Sequence, residues 1–273
     1  MPDATTLMLR SPLTQLIESD GLTADRLAGL SALEIGRLPV WSGRQRLPLG
    51  DVFDVRGGRS AHVRIAGDVG HVAGIGAGMT SGELVIEGDA GASVGAGMSG
   101  GRIEVLGSVG DDAGQAMTGG SLVVRGSAGN RVGAGAPGAS RGMTGGEIVV
   151  AGSVGAEAGA RMRRGLLFVN RDAGDHVART IIAGTVMVLG RTGREPALGS
   201  KRGTLVAVGG VDVPVTYRYA CTYEPPHVRV AFVHIRRRYG MTIGPEVVAG
   251  RYRRYCGDAG TVGKGEILEW IST

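Results

Sequence analysis

The residues of this chain that could do chemistry are few, and their spacing speaks against most reactions. The five histidines (His62, His71, His176, His227 and His234) share no metal-ligand spacing. Cys221 and Cys256 lie far apart, cannot make a zinc site by themselves, and read as reduced thiols. Asp111-Asp112 and Asp172/Asp175 are the nearest approach to paired carboxylates, and they are too few for a lyase-like acidic face. The run from Gly257 to Gly265 is glycine-rich but lacks the first glycine of a phosphate loop and the hydroxyl residue after Lys264. A methionine column, Met79, Met98, Met117, Met143 and Met162, could supply thioethers to copper, but such a site needs sulfur atoms converging on one point. As a regular column, it reads instead as a structural ladder filling a core. No catalytic residue and no metal site are assigned.

The formal net charge of +5 is carried almost wholly by arginine, with Lys201 and Lys264 the only lysines. Arg236-Arg237-Arg238 and Arg251, Arg253 and Arg254 concentrate it near the C-terminus. A nucleic-acid surface would mix lysine and exposed aromatics into such a patch, so nucleic acid is not an expected partner. No apolar run is long enough to span a bilayer, and the acidic N-terminal stretch is no secretory signal. A cytoplasmic protein is expected.

What must position these residues is a repeat. Glu83–Gly101, Arg102–Gly120 and Glu147–Gly165 are variants of one 19-residue unit. Leu166–Gly184 and Thr185–Gly203 keep its length, His62–Gly82 is slightly longer, and Ser121–Gly146 carries an insertion around Ala136–Arg141. Each unit opens on two apolar residues two apart, such as Leu84/Ile86 and Ile103/Val105, which is the period of a strand with one buried face. Glycines recur at fixed offsets, as Gly88, Gly107, Gly126 and Gly152, where the chain must turn corners. With aromatics at 4%, the core has to be built from small side chains. The pattern predicts an all-β fold, a parallel β-helix of about seven coils with non-repetitive caps; the general preference of parallel crossovers favours the right hand, which the period itself does not fix.

Residues 1–58 are expected to form an N-terminal cap, 59–211 the repeats, and 212–273 a C-terminal cap with one helix and a terminal strand. In the first cap, Thr23 caps a short helix and Leu47–Val55 reads as a leading strand. In the last, Val228, Ala231, Phe232, Ile235 and Tyr239 follow helical spacing between Pro225-Pro226 and Gly240. Ile267–Ile271 reads as the terminal strand.

The unit Gly-x-x-Met-x-x-Gly-x-[Ile/Leu]-x-[Ile/Val]-x-Gly runs from Gly76 to Gly88 and again from Gly95 to Gly107. With Arg253-Arg254-Tyr255-Cys256-Gly257-Asp258 and Gly263-Lys264-Gly265-Glu266-Ile267-Leu268, it resembles the C subunit of the formylmethanofuran dehydrogenase family. The resemblance covers roughly residues 45–270. The repeats alone are also similar to the C-terminal domain of the large glutamate synthase subunit, but the tail has no counterpart there. The resemblance implies a non-catalytic structural subunit. The first reading is a bacterial formyltransferase/hydrolase complex that takes formyltetrahydromethanopterin to formate through a formylmethanofuran-type carrier in one-carbon metabolism. The alternatives are a molybdenum or tungsten formylmethanofuran dehydrogenase and a glutamate synthase-like structural domain. The implied partners are the other components of such a complex: an amidohydrolase-like A component, a B component and a formyltransferase-like D component. Zinc and the methanofuran-type carrier are implied to be held elsewhere in the hetero-oligomer. Because such carriers have an acidic glutamyl tail, Arg236, Arg237, Arg251, Arg253 and Arg254 are candidates to hold it through charge-assisted hydrogen bonds.

Overall fold

A computed structural model describes residues 4–272. The N-terminal segment holds β1 (Thr5–Leu9), β2 (Ile17–Ser19), α1 (Ala24–Leu27), α2 (Ala32–Gly36), β3 (Pro39–Ser42), β4 (Gln45–Pro48), α3 (Leu49–Val52) and β5 (Phe53–Arg56). The repeats supply β6 (His62–Ala66), β7 (Val72–Ala73), β8 (Glu83–Ile86), β9 (Arg102–Val105), β10 (Ser121–Val124), β11 (Glu147–Val150), β12 (Leu166–Val169), β13 (Thr185–Val188) and β14 (Thr204–Ala207). The tail adds β15 (Arg218–Tyr223), α4 (Pro226–Tyr239), α5 (Pro245–Val248), β16 (Arg251–Gly257) and β17 (Gly265–Ile271). It therefore carries a second short helix and two strands besides the predicted helix and terminal strand.

The expectation of an all-β parallel β-helix of about seven coils is corrected by the strand pairing. One 13-stranded sheet runs in the order β15-β16-β17-β14-β13-β12-β11-β10-β9-β8-β6-β1-β5, and a four-stranded sheet in the order β4-β3-β2-β7. The large sheet is mixed: parallel from β1 to β17, antiparallel where β5, β15 and β16 pair at its two ends. Five helices accompany the sheets among the described residues. The reason lies in the composition of the unit. Only its opening residues alternate, so only they form a continuous strand, while the glycine-rich remainder turns. That remainder touches its neighbours through single bridges at Val69, Ala90, Val109, Ala128, Val154, Ala173 and Thr192.

The register is that of the repeat. Leu84 faces Ile103, Ile103 faces Leu122, and Leu122 faces Ile148, all fully buried on the inner face of the sheet. The methionine ladder packs beside them, each member fully buried. The glycine closing each unit explains how it fits: a Cβ on Gly101, where φ is +79°, would lie 2.6 Å from Met79 Cε. The same holds for Gly120 over Met98 at 2.7 Å and Gly165 over Met143 at 2.7 Å. Each thioether thus fills the space left by the next unit's missing side chain, and burial of one such side chain contributes about 1.5–3 kcal/mol.

Two other expectations meet the structure differently. Thr23 does cap α1, accepting from the Arg26 amide. The leading strand expected over Leu47–Val55 is interrupted by the helical turn α3, because Leu49 and Val52 are both buried. Residues three apart share a face in a helix and oppose each other in a strand.

Candidate functional site

The outer face of the large sheet is one continuous row of register-matched residues. From the N-terminal side it reads Arg64, Val85, Glu104, Val123, Val149, Phe168, Met187, Val206 and Leu268. From Val123 onward every member is apolar and fully buried, since α4 lies over it with Val228, Phe232, Ile235 and Tyr239. Helix α4 starts on Pro226 and stops at Gly240, whose φ of +68° lies in the left-handed region that glycine adopts without a steric penalty.

Beyond the end of α4 the face is bare and charged. His62 lies 3.3 Å from Glu83, Arg102 binds both Glu83 (3.5 Å) and Glu104 (2.7 Å), Arg125 reaches Glu104, and Arg64 meets Glu87. Partial burial pushes the Glu104 carboxyl up, but hydrogen bonds from Arg102 and Arg125 prevail and hold it below the usual carboxylate range. An open groove of about 850 Å³ runs along this half, past Thr6, Arg56, His62, Arg64 and Glu87. Where the two halves meet, Glu147 forms a latch. Its carboxylate takes His234 Nε2 at 2.8 Å, the Tyr239 hydroxyl, and Arg238 at 3.5 Å. Burial, then the Glu147 hydrogen bond, push the Tyr239 phenol up to about 12. Arg125 Nη1 also donates to the Tyr239 carbonyl at 3.0 Å, tying the bare ladder to the helix end.

The carboxylates that looked available for chemistry are engaged. Asp111 Oδ1 accepts from the Asn130 amide at 2.7 Å, and Asp112 pairs with Arg131 at 2.8 Å. Asp172 Oδ1 accepts from the Arg191 amide, and Asp175 takes both the amide and the side chain of Arg194, which hold its carboxyl low. The serines aligned with Asp89 have a related use: Asp89 Oδ1 accepts from the Ser108 amide, Ser108 Oγ from the Ser127 amide, and Ser127 Oγ from the Ser153 amide. These are rungs joining one unit to the next. Besides His62 and His234, His176 lies 3.3 Å from Glu195 and His227 lies 3.8 Å from Glu266. His71 lines a separate groove of about 380 Å³ with Leu9, Arg10 and Asp68. Among the described residues no three His, Cys, Asp or Glu gather as metal ligands. Cys221 and Cys256 are free thiols, and among the described residues no helix is long and apolar enough to cross a membrane.

No protein-family model matches the chain. Over 80 residues it is 45% identical to the C subunit of molybdenum-containing formylmethanofuran dehydrogenase 1 from Methanosarcina barkeri, 28% of this chain and 27% of that protein. Over 86 residues it is 35% identical to the C subunit of the formyltransferase/hydrolase complex Fhc from Methylorubrum extorquens, 32% of each chain. These alignments span about a third or less of either curated relative. The structural match is far longer. A chain in the crystal structure of the formyltransferase/hydrolase complex (FhcABCD) from Methylorubrum extorquens in complex with methylofuran superposes with a TM-score of 0.89. It is 34% identical, covering 98% of this chain and 100% of that one. The present chain belongs to the C-subunit family of formylmethanofuran dehydrogenases and formyltransferase/hydrolase complexes.

Within this C subunit, the five arginines named from the sequence fall in three places. Arg236 and Arg237 are exposed on α4. Arg251 and Arg253 alternate with Tyr252 and Arg254 along β16, so the two pairs point to opposite faces of the sheet. Arg253 reaches Glu269 at 3.5 Å, and Arg254 binds Glu266 at 2.7 Å. The structure therefore does not gather the five into one cluster. The covering role of α4 and the Glu147 latch were missed at the sequence level. A signal for the first was present: the residue between the two inward positions turns from Arg64 and Glu104 to Val123, Val149 and Phe168.

Proposed function

We propose that this chain is the non-catalytic structural subunit of a cytoplasmic formyltransferase/hydrolase complex. In this reading its partner subunits carry a formyl group from formyltetrahydromethanopterin to formate through a formylmethanofuran-type carrier. The observation that carries the proposal is the full-length match to a chain of FhcABCD, a complex whose crystal structure contains methylofuran. The engaged carboxylates and the free cysteines, which suit a reducing compartment, agree with it.

The test is co-expression of a tagged chain with its neighbouring genes, followed by native mass spectrometry. The expected result is a hetero-oligomer containing amidohydrolase-like and formyltransferase-like subunits that releases formate from formyltetrahydromethanopterin. A chain that purifies alone under all such conditions overturns the proposal. The 45% identity to a component of a molybdenum-containing dehydrogenase supports a second reading. Molybdenum or tungsten in the purified complex, with carbon dioxide reduction, would establish that reading and displace the first.

A further inference from the structure

Along one corner of the repeats, the pair of residues before the closing glycine changes character. It reads Thr80-Ser81, Ser99-Gly100, Thr118-Gly119 and Thr144-Gly145 in the earlier units, then Arg163-Arg164, Ile182-Ala183 and Lys201-Arg202 in the later ones. The backbone holds these rungs in register. The amides of Arg163, Ile182 and Lys201 donate to the carbonyls of Met143, Met162 and Ile181, each at 2.8 Å. With ~4.8 Å between adjacent rungs, the two cationic pairs stand ~10 Å apart across an apolar one.

Together they line a groove of about 480 Å³ that includes Val262 and has no acidic residue in its lining. Val262 comes from the loop after β16, which is fixed to the last repeat. Asp258 accepts from the Gly199 amide at 2.8 Å, and the Thr261 hydroxyl donates to the Ser200 carbonyl at 2.6 Å. The groove therefore has a built wall on one side and the repeat stack on the other.

All four cations are exposed, and none forms an ion pair among the described residues. Elsewhere on the stack Arg102, Arg125, Arg131 and Arg194 are each matched to a carboxylate of their own or a neighbouring unit, and the exposed arginines without an ion pair among the described residues, Arg141, Arg161, Arg171 and Arg191, are not sequence neighbours of another cation. Like charges gathered without counter-charges repel one another, and an anionic ligand relieves that repulsion. We propose that this groove binds an acidic segment of a partner polypeptide, whose carboxylates engage the Arg163-Arg164 and Lys201-Arg202 rungs. Guanidinium forks take carboxylates in bidentate pairs, and the apolar rung with Val262 offers a surface for the aliphatic stems of glutamates. A single-stranded nucleic acid would want aromatic platforms for its bases, and no aromatic side chain lines the groove. The inference rests on the groove alone and stands or falls independently of the complex proposed above.

The experiment is fluorescence anisotropy of a labelled oligoglutamate peptide against the full chain and its charge variants. The quadruple variant Arg163→Gln, Arg164→Gln, Lys201→Gln, Arg202→Gln is expected to lose affinity on the order of tenfold or more. Binding to the native chain should weaken as salt is added. The double variant Arg44→Gln, Arg46→Gln, exposed on the β3–β4 turn and on β4 of the four-stranded sheet, should bind like the native chain. Circular dichroism checks folding, and the two pairwise variants carry the test if the quadruple one misfolds, each losing part of the affinity. Unchanged affinity in the folded groove variants overturns the proposal. So does an equal loss in the Arg44/Arg46 control, or tighter binding of an oligonucleotide of matched charge.

Discussion

The two halves of one sheet face solve the same problem in opposite ways. Beneath α4 the outward row is Val123, Val149, Phe168, Met187 and Val206, and a helix removes it from water. Past the end of α4 the equivalent positions are Arg64, Val85 and Glu104, and alternating charges keep the surface hydrated. The backbone register is identical in both, so the difference belongs wholly to the side chains and to what covers them. A stack of similar units can therefore carry a sealed region and an open one, with the boundary at Glu147 and Tyr239.

Exchanging the letters between the halves is the strongest way to break this contrast. Val149→Glu places a carboxylate beneath α4 with no cation built to receive it, and should cost on the order of 4 kcal/mol or more. Val85→Glu makes the same chemical change between Arg64 on one neighbouring strand and Glu104 on the other, where the two charges offset and water has access, and should change stability by less than about 1 kcal/mol. Urea unfolding of both variants measures the difference. Equal losses would mean that α4 does not seal its half of the face.

How much of this could be read from the sequence depends on what each feature needs. The inward pairs Leu84/Ile86 and Ile103/Val105 and the stop at Gly240 are local patterns, and the structure places them on a strand face and at a helix end. The architecture was not legible, because the period fixes the spacing of strands and leaves open how the residues between them run. Those residues form turns with single bridges, and the antiparallel pairing of β5, β15 and β16 depends on contacts outside the repeat. The candidate arginines were close in sequence, yet strand alternation sends Arg253 and Arg254 to opposite faces. The Asp89–Ser108–Ser127 rungs were visible as an alignment, but only the folded register shows that each side chain meets an amide of the following unit.

A smaller effect tests how the covering tail is anchored. Asp258 is buried, which pushes its carboxyl up, but the amides of Gly199 and Gly260 outweigh this and hold it below its ordinary value of 3.8. A carboxyl depressed in the folded state stabilises above its unfolded pKa, and that contribution disappears as pH falls through the folded value. Asp258→Asn should thus cost about 1–3 kcal/mol at neutral pH. The gap from the native chain should close as the pH drops below 3.8. Denaturation midpoints measured across this range check the sign, and a gap constant in pH would exclude ionisation of Asp258 as its source.

The smallest effect belongs to the bare ladder. Glu83 touches both His62 and Arg102, but its side chain is 40% exposed, so water and ions compete for every one of its contacts. Glu83→Gln should change stability by no more than about 1 kcal/mol, and the change should shrink as salt is raised. Thermal melts at low and high ionic strength measure it. A loss as large as that of Val149→Glu would show that the charged half holds the fold together as firmly as the sealed one. A small, salt-screened loss leaves the ladder a different task, keeping an exposed sheet face soluble and open to a partner while the sealed half supplies the stability.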